Sequence, residues 1–258
     1  MKTPGNNEKL GSARRTLKNA QRHIATLESE CLNYFQLKPL GTQIEIDSES
    51  GHEVHKLVVK VPLPELIEQA AFDAANNLRS ALDQACYAIA IASGNDGKKA
   101  HFPFGKTLED VRGKKKKAGG SRDIPDEVFS LILAIKPYKD GNLLLWELND
   151  ICNKGKHEII TPVGAQFEPM GIVKRGKFEH LVRLALPPKW DFERQEMILA
   201  IVGRGSKYEY EMQVSPFLAI AGNGAFSQEN ALLVLSEMEK AVLSVLDQLE
   251  EKMSNLGL

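Results

Sequence analysis

Leu63 to Ala92 reads LPELIEQAAFDAANNLRSALDQACYAIAIA, and its apolar spacing decides the fold. Ile67, Ala71, Ala74, Leu78, Leu82, Ala85 and Ile89 recur every three or four positions, which makes one face of a long helix continuously apolar. Alanine at several of these positions implies close approach of a neighbouring helix, because a methyl group keeps two backbones nearer than a longer side chain would. Pro62 and Pro64 start this helix, and Ser93-Gly-Asn-Asp-Gly97 supplies its cap and exit.

Toward the N-terminus, Thr42 to Ile46 and His55 to Val61 carry β-branched residues on either side of Asp47-Ser-Glu-Ser-Gly51, the pattern of a β-hairpin. Before it, Leu10, Ala13, Leu17, Ala20, Ile24, Leu27, Cys31 and Tyr34 form a second unbroken seam, stopped by Pro39 and Gly41. A seam of this length serves either a helical bundle or a coiled coil.

Toward the C-terminus, residues 97–123 look irregular. Pro125, Asp126 and Glu127 open a short helix, Pro137 closes it, and Asp140-Gly141 turns the chain into another helix ending near Lys154. From His157 to about Ala221 the period becomes two: Tyr208, Tyr210, Met212 and Val214 alternate with Glu209, Glu211 and Gln213. Ser227 is the expected cap of a last helix whose seam is Ala231, Leu235, Met238, Val242, Val245 and Leu249.

The reading is therefore α+β: a bundle of long amphipathic helices with a β-hairpin insertion and a C-terminal-half antiparallel sheet followed by a last long helix. It places helices at 8–37, 63–92, 125–136, 142–154 and 227–254, a sheet of four or five strands within the strand-rich 157–221, and one domain over 1–258.

Composition narrows the function classes. A net charge of −1 excludes a broadly basic nucleic-acid coat, so an electrostatic partner must be met by local patches. Cys31, Cys86 and Cys152 are odd in number, widely spaced and set in apolar helical patterns, which suits reduced thiols in the cytoplasm. The polar start MKTPGNNEKLGSARR has no secretory h-region, and the longest apolar run, Ala85 to Ala92, is too short to span a membrane. No metal or other cofactor is expected. His52-Glu-Val-His55 lacks helical zinc spacing, and Gly105-Lys-Thr107 lacks the glycine a phosphate loop needs, Ala100 standing in its place.

Two polar stretches carry the candidate chemistry. In LNDICNKGKH, Leu148 to His157, a helix would place Asn149, Asn153 and His157 on one face with Lys156 beside the histidine. Neighbouring lysines favour a neutral imidazole, which suits a general base. The plainer reading is a helix C-cap in which Lys154 and Lys156 complement the dipole. In NLRSALD, Asn77 to Asp83, the fork of Arg79 suits an anion, while a surface ion pair with Asp83 is the plainer account. Basic clusters lie at Arg14, Arg15, Lys18 and Arg22 on the outer face of the first helix. Others lie at Arg112 and Lys114 to Lys117 in a loop, and at Lys174, Arg175 and Lys177 in a turn. A polyanion bridges them only if the fold gathers them on one side.

The order NLRSALD, HFPF (His101 to Phe104), IKPY (Ile135 to Tyr138) and L-x-x-L-N-x-I-x-N-x-x-K-H resembles a family of uncharacterised bacterial proteins, over about Leu66 to Ile160. Many members have histidine where this chain has Gln84 and arginine where it has Glu158. More distantly, the helical pattern is similar to the HEPN superfamily of RNA-binding and RNA-cleaving domains. Their Arg-x4–6-His arginine is absent here, its positions being Cys152, Ile151 and Asp150, and only Arg79 from another helix could replace it.

Two readings follow. The resemblance implies an RNA- or polyanion-associated protein, a ribonuclease or toxin-like defence or stress component, with His157, Lys156 and Asn153 as catalytic residues. Arg79 and Asp83 would then serve the phosphate. The alternative is a non-enzymatic module in which the same polar residues join two helices and the long helical seams form a homodimer.

Overall fold

The computed structural model describes residues 9–116, 118–154, 160–166, 175–178, 180–184, 190–191, 193–211, 215–220, 224–227 and 229–258. In chain order the elements are α1 (Gly11–Gln36), β1 (Leu40–Ile46), β2 (Glu53–Val59), α2 (Glu65–Ala92), α3 (Leu108–Gly113), α4 (Asp126–Ile135) and α5 (Leu143–Lys154). They continue as β3 (Ile160–Gln166), β4 (Arg175–Phe178), β5 (Leu181–Leu184), β6 (Trp190–Asp191), β7 (Glu196–Val202), β8 (Tyr208–Glu211), β9 (Ser215–Ile220) and α6 (Ala231–Leu256). The fold is α+β, with long helices, antiparallel strands and a long last helix. Among the described residues no helix is long and apolar enough to cross a membrane.

Helix α2 is the central post. Glu65 and Glu68 in its first turn complement the helix dipole. Its buried residues occupy two adjoining stripes: Ile67, Ala71, Ala74, Leu78, Leu82, Ala85 and Ile89 as the period requires, with Ala70, Ala75, Ala81, Cys86 and Ala90 beside them. A surface this wide meets more than one neighbour, and α1, α5 and α6 all pack on it. The α1 seam is buried through Ala13, Leu17, Ala20, Ile24, Leu27 and Tyr34, and the α6 seam through Leu235, Met238, Val242, Val245 and Leu249. Both serve this bundle within the chain, so the coiled-coil alternative for the first helix is not the one taken. Tyr34 closes the bundle's end by donating its hydroxyl to the Val61 carbonyl at 2.7 Å.

Polar side chains set the register between helices. Gln84 of α2 accepts hydrogen bonds from Ser12 and from Thr16 of α1, the latter at 3.1 Å. Arg14 of α1 bonds Asp247 and Glu250 of α6, each at 2.6 Å. Burial works against that charge, yet the two carboxylates outweigh it and raise the guanidinium's pKa. Arg14, expected among outward-facing cations, is thus an interhelical clamp, because the acidic pair on α6 lies within its reach.

The sheet departs from expectation in its composition. The hairpin β1–β2 is not separate from the later strands: β2 pairs antiparallel with β7, giving the order β1-β2-β7-β5 with β6 also on β7. A two-stranded hairpin alone is marginal in water, and β2 carries a buried centre, His55, Lys56 and Leu57, that needs strands on both sides. Lys56 donates to Glu45 at 2.5 Å and to Glu196 at 3.0 Å, and these bonds, that to Glu45 foremost, raise its pKa against the desolvation. Instead of one sheet of four or five strands, the described part of 157–221 contributes β5, β6 and β7 to this sheet and two further pairs, β3–β9 and β4–β8. Arg175 and Lys177, expected in a turn, lie on β4, and Lys174 lies outside the described residues.

Two further corrections concern helix starts. The stretch expected to be irregular contains α3, opened by a capping box in which the Thr107 hydroxyl accepts from the Asp110 amide and the Asp110 carboxylate accepts from the Thr107 amide. Asn230, not Ser227, caps α6, accepting from the amides of Leu232 at 3.0 Å and Leu233 at 3.3 Å. Ser227 is instead held in a turn and bridges Ile220 at the end of β9, so the chain is still extended there. Asn230→Ala is expected to lower stability by about 1 kcal/mol, read as a shifted urea midpoint with an unchanged slope.

Candidate anion-binding cleft

The helical spacing of four puts Arg79 and Asp83 one turn apart on the side of α2 that faces α5. They do not pair with each other. Arg79 donates from Nε to the Asn149 Oδ1 of α5 at 3.1 Å. Asp83 accepts the backbone N–H of Phe102 at 2.8 Å, which ties the 101–104 segment down onto α2. The Arg79 terminal nitrogens have no partner among the described residues.

The HFPF segment divides its four residues between two tasks. Phe102 and Phe104 are buried in the main core with ring centroids 5.0 Å apart, and they anchor the segment. His101 stays exposed, while its backbone is clamped from both sides: its N–H donates to the Gly120 carbonyl at 2.8 Å and its carbonyl accepts from the Ser121 hydroxyl at 2.7 Å. Gly105 continues the segment into the KPY stretch through a bond from its amide to the Pro137 carbonyl at 3.3 Å. There Lys136 takes the left-handed conformation, and a side chain at Gly141 would strike its carbonyl. The motifs noted in the sequence therefore meet because each fills a backbone requirement of the next.

Between these elements lies a cleft of about 290 Å³. Arg79, Asn149 and Asn153 line it from the helices, His101 and Lys114 from the loops, and the Phe102–Phe104 segment forms its wall. Arg79 and Lys114 are cationic, His101 adds an imidazole, two are amides, and no carboxylate is among the described lining residues. Asn153, exposed on the last turn of α5, sits one turn beyond Asn149. Cys152 is adjacent in sequence, but burial pushes its thiol up to about 12, with Arg79 pulling the other way, so it holds its proton at neutral pH.

Of the residues singled out from sequence, Arg79, Asn149 and Asn153 reach this one cleft, and Asp83 lies behind its wall. Lys156 and His157 lie outside the described residues. Sequence reasoning named Lys114 only within the basic run, as one of several patches for a polyanion, and did not select His101. A signal existed for both, since the histidine opens the HFPF motif and the lysine opens the basic run, but nothing local joins them to Arg79. The basic run is also less uniform than a solvated loop. Lys114 lines the cleft, Lys115 is held in an ion pair with Asp126 at 2.9 Å, and Lys117 lies outside the described residues. No group of three or more His, Cys, Asp or Glu residues that could hold a metal occurs among the described residues. Comparison with family models, with curated proteins and with solved structures finds no match to this chain.

Proposed function

We propose that the cleft binds phosphate groups of RNA and that the chain is a cytoplasmic, RNA-associated protein. One observation carries this reading: the Arg79 guanidinium is oriented through Nε by Asn149, its terminal nitrogens have no partner among the described residues, and Lys114 and His101 line the same cleft with no carboxylate among its described lining residues. A guanidinium held by one nitrogen loses little further freedom on gripping two phosphate oxygens. The aromatic rings at the cleft are buried, so they offer no stacking face, and recognition is of the backbone rather than of base sequence.

Fluorescence anisotropy with a labelled single-stranded RNA tests it. Binding should weaken steeply with salt, with a log–log slope of about −2 for roughly three phosphate contacts on a single strand. Absence of binding at low salt, or binding indifferent to salt, overturns the reading. Its catalytic form assigns His157 as general base on a 2′-hydroxyl, Lys156 to the phosphate charge and Asn153 to orienting the imidazole. RNA left intact by the wild type, or cleaved equally by His157→Ala, removes that form and leaves binding in place.

A second reading has its own observation. The Arg79–Asn149 and Asp83–Phe102 bonds join α2 to α5 and to the HFPF segment, as a purely structural network would. On that reading, substitution at Arg79 affects unfolding and leaves RNA binding unchanged.

A further inference from the structure

Lys115 is held differently from its neighbours in the basic run. Its ammonium donates to the backbone carbonyls of Ile124 and, at 3.2 Å, Arg122; it pairs with Asp126 at 2.9 Å and lies 5.8 Å from the Phe129 ring centroid. Those partners belong to the start of α4 and the strand of chain leading into it. Lysine side chains usually stay in water, so four simultaneous contacts mark a structural use of the charge.

What this ammonium secures is the loop 114–121. The loop is closed at its base by the Ser121 amide donating to the Lys114 carbonyl at 3.0 Å, and a side chain at Gly119 would collide with that same carbonyl. Its two ends supply Lys114, Gly120 and Ser121 to the cleft, and through Gly120 and Ser121 it clamps the backbone of His101. A loop carrying consecutive lysines would otherwise be driven outward by its own repulsion and by hydration.

We propose that Lys115 is a positioning residue, which bolts the Lys114–Ser121 loop to α4 and so holds Lys114 and His101 at the phosphate cleft. Lys115 itself does not touch the ligand. The inference rests on the phosphate-binding reading for its functional consequence, but the bolt exists without ligand and can be measured without it.

Amide hydrogen exchange on the ligand-free protein is the first arm. Lys115→Met should speed exchange at His101 and Ser121 by about tenfold or more, as local opening becomes easier, while amides in the middle of α2 keep their protection. Lys115→Arg, which keeps the charge and the donors, should restore most of the protection. The second arm measures anisotropy with the labelled RNA for Lys114→Met, Lys115→Met and the double variant. Each single change should weaken binding by about tenfold, and the double variant by clearly less than the product of the two, because Lys115 acts in part through Lys114. Unchanged exchange in Lys115→Met overturns the proposal. So does a double variant that loses the product of the two single effects, because Lys115 would then contact RNA itself. Should Lys115→Met fail to fold, Asp126→Asn weakens the bolt from its exposed end and is read in the same two ways. Wild-type protein that binds no RNA would overturn the phosphate reading, while the exchange arm still decides whether Lys115 holds the loop.

Discussion

Arg79→Met is expected to weaken RNA binding by about thirtyfold or more, the largest loss of any single change in the cleft. A charge-assisted bond is worth roughly 1.5–3 kcal/mol, and a guanidinium can make two such bonds to one phosphate. At 1.4 kcal/mol per tenfold in affinity, losing even one of these bonds corresponds to roughly one to two decades. Arg79→Lys keeps the charge but loses the planar donor pair and the Nε bond to Asn149, so it should recover only part of the affinity. The salt dependence should become shallower with methionine and stay near the wild-type slope with lysine. Folding should be little disturbed, since the protein-side loss is one hydrogen bond to Asn149, worth about 1 kcal/mol. Full RNA affinity in a folded Arg79→Met protein would leave the cleft without its main ligand, and the structural reading of the polar cluster would stand.

Leu82→Ala should produce the largest loss of stability, about 3 kcal/mol within the 2–5 kcal/mol span of buried leucine truncations. Leu82 is fully buried on α2, the helix packed by α1, α5 and α6, so few directions remain for the bundle to collapse into the gap. For a chain of this size, such a loss lowers Tm by roughly 6–12 °C. Differential scanning calorimetry measures it directly. RNA affinity at a temperature well below the transition should be unchanged, because Leu82 faces the core and Arg79 faces the cleft. A loss below about 1 kcal/mol would show that the bundle tolerates the cavity and that α2 is not its central post.

Arg79 follows Leu78 and Asp83 follows Leu82 in the same motif, and because a helix turns about 100° per residue each polar side chain is rotated away from the core-facing leucine before it. That division was legible in the chain: the apolar period located Leu78 and Leu82 in the core and set Arg79 and Asp83 beside a different neighbour. The long helices were legible for the same reason, and the structure changes their ends by only a few residues. The short α3 was overlooked because it has too few residues to display a period, although its Thr107–Asp110 box was there to be read.

The sequence by itself determined the local elements, since helix and strand periods, prolines and glycines act over a few neighbouring residues. It also presented Arg79, Asn149, Asn153 and His101 as polar residues at the margins of apolar patterns. Only the tertiary structure decided which of them meet. The bond from Arg79 to Asn149, the clamp of the 114–121 loop on His101 and the pairing of β2 with β7 each join segments distant in the chain. Hydrogen-bonding capacity is written on every polar residue, but its partner is chosen by the packing of buried faces, which no local pattern encodes.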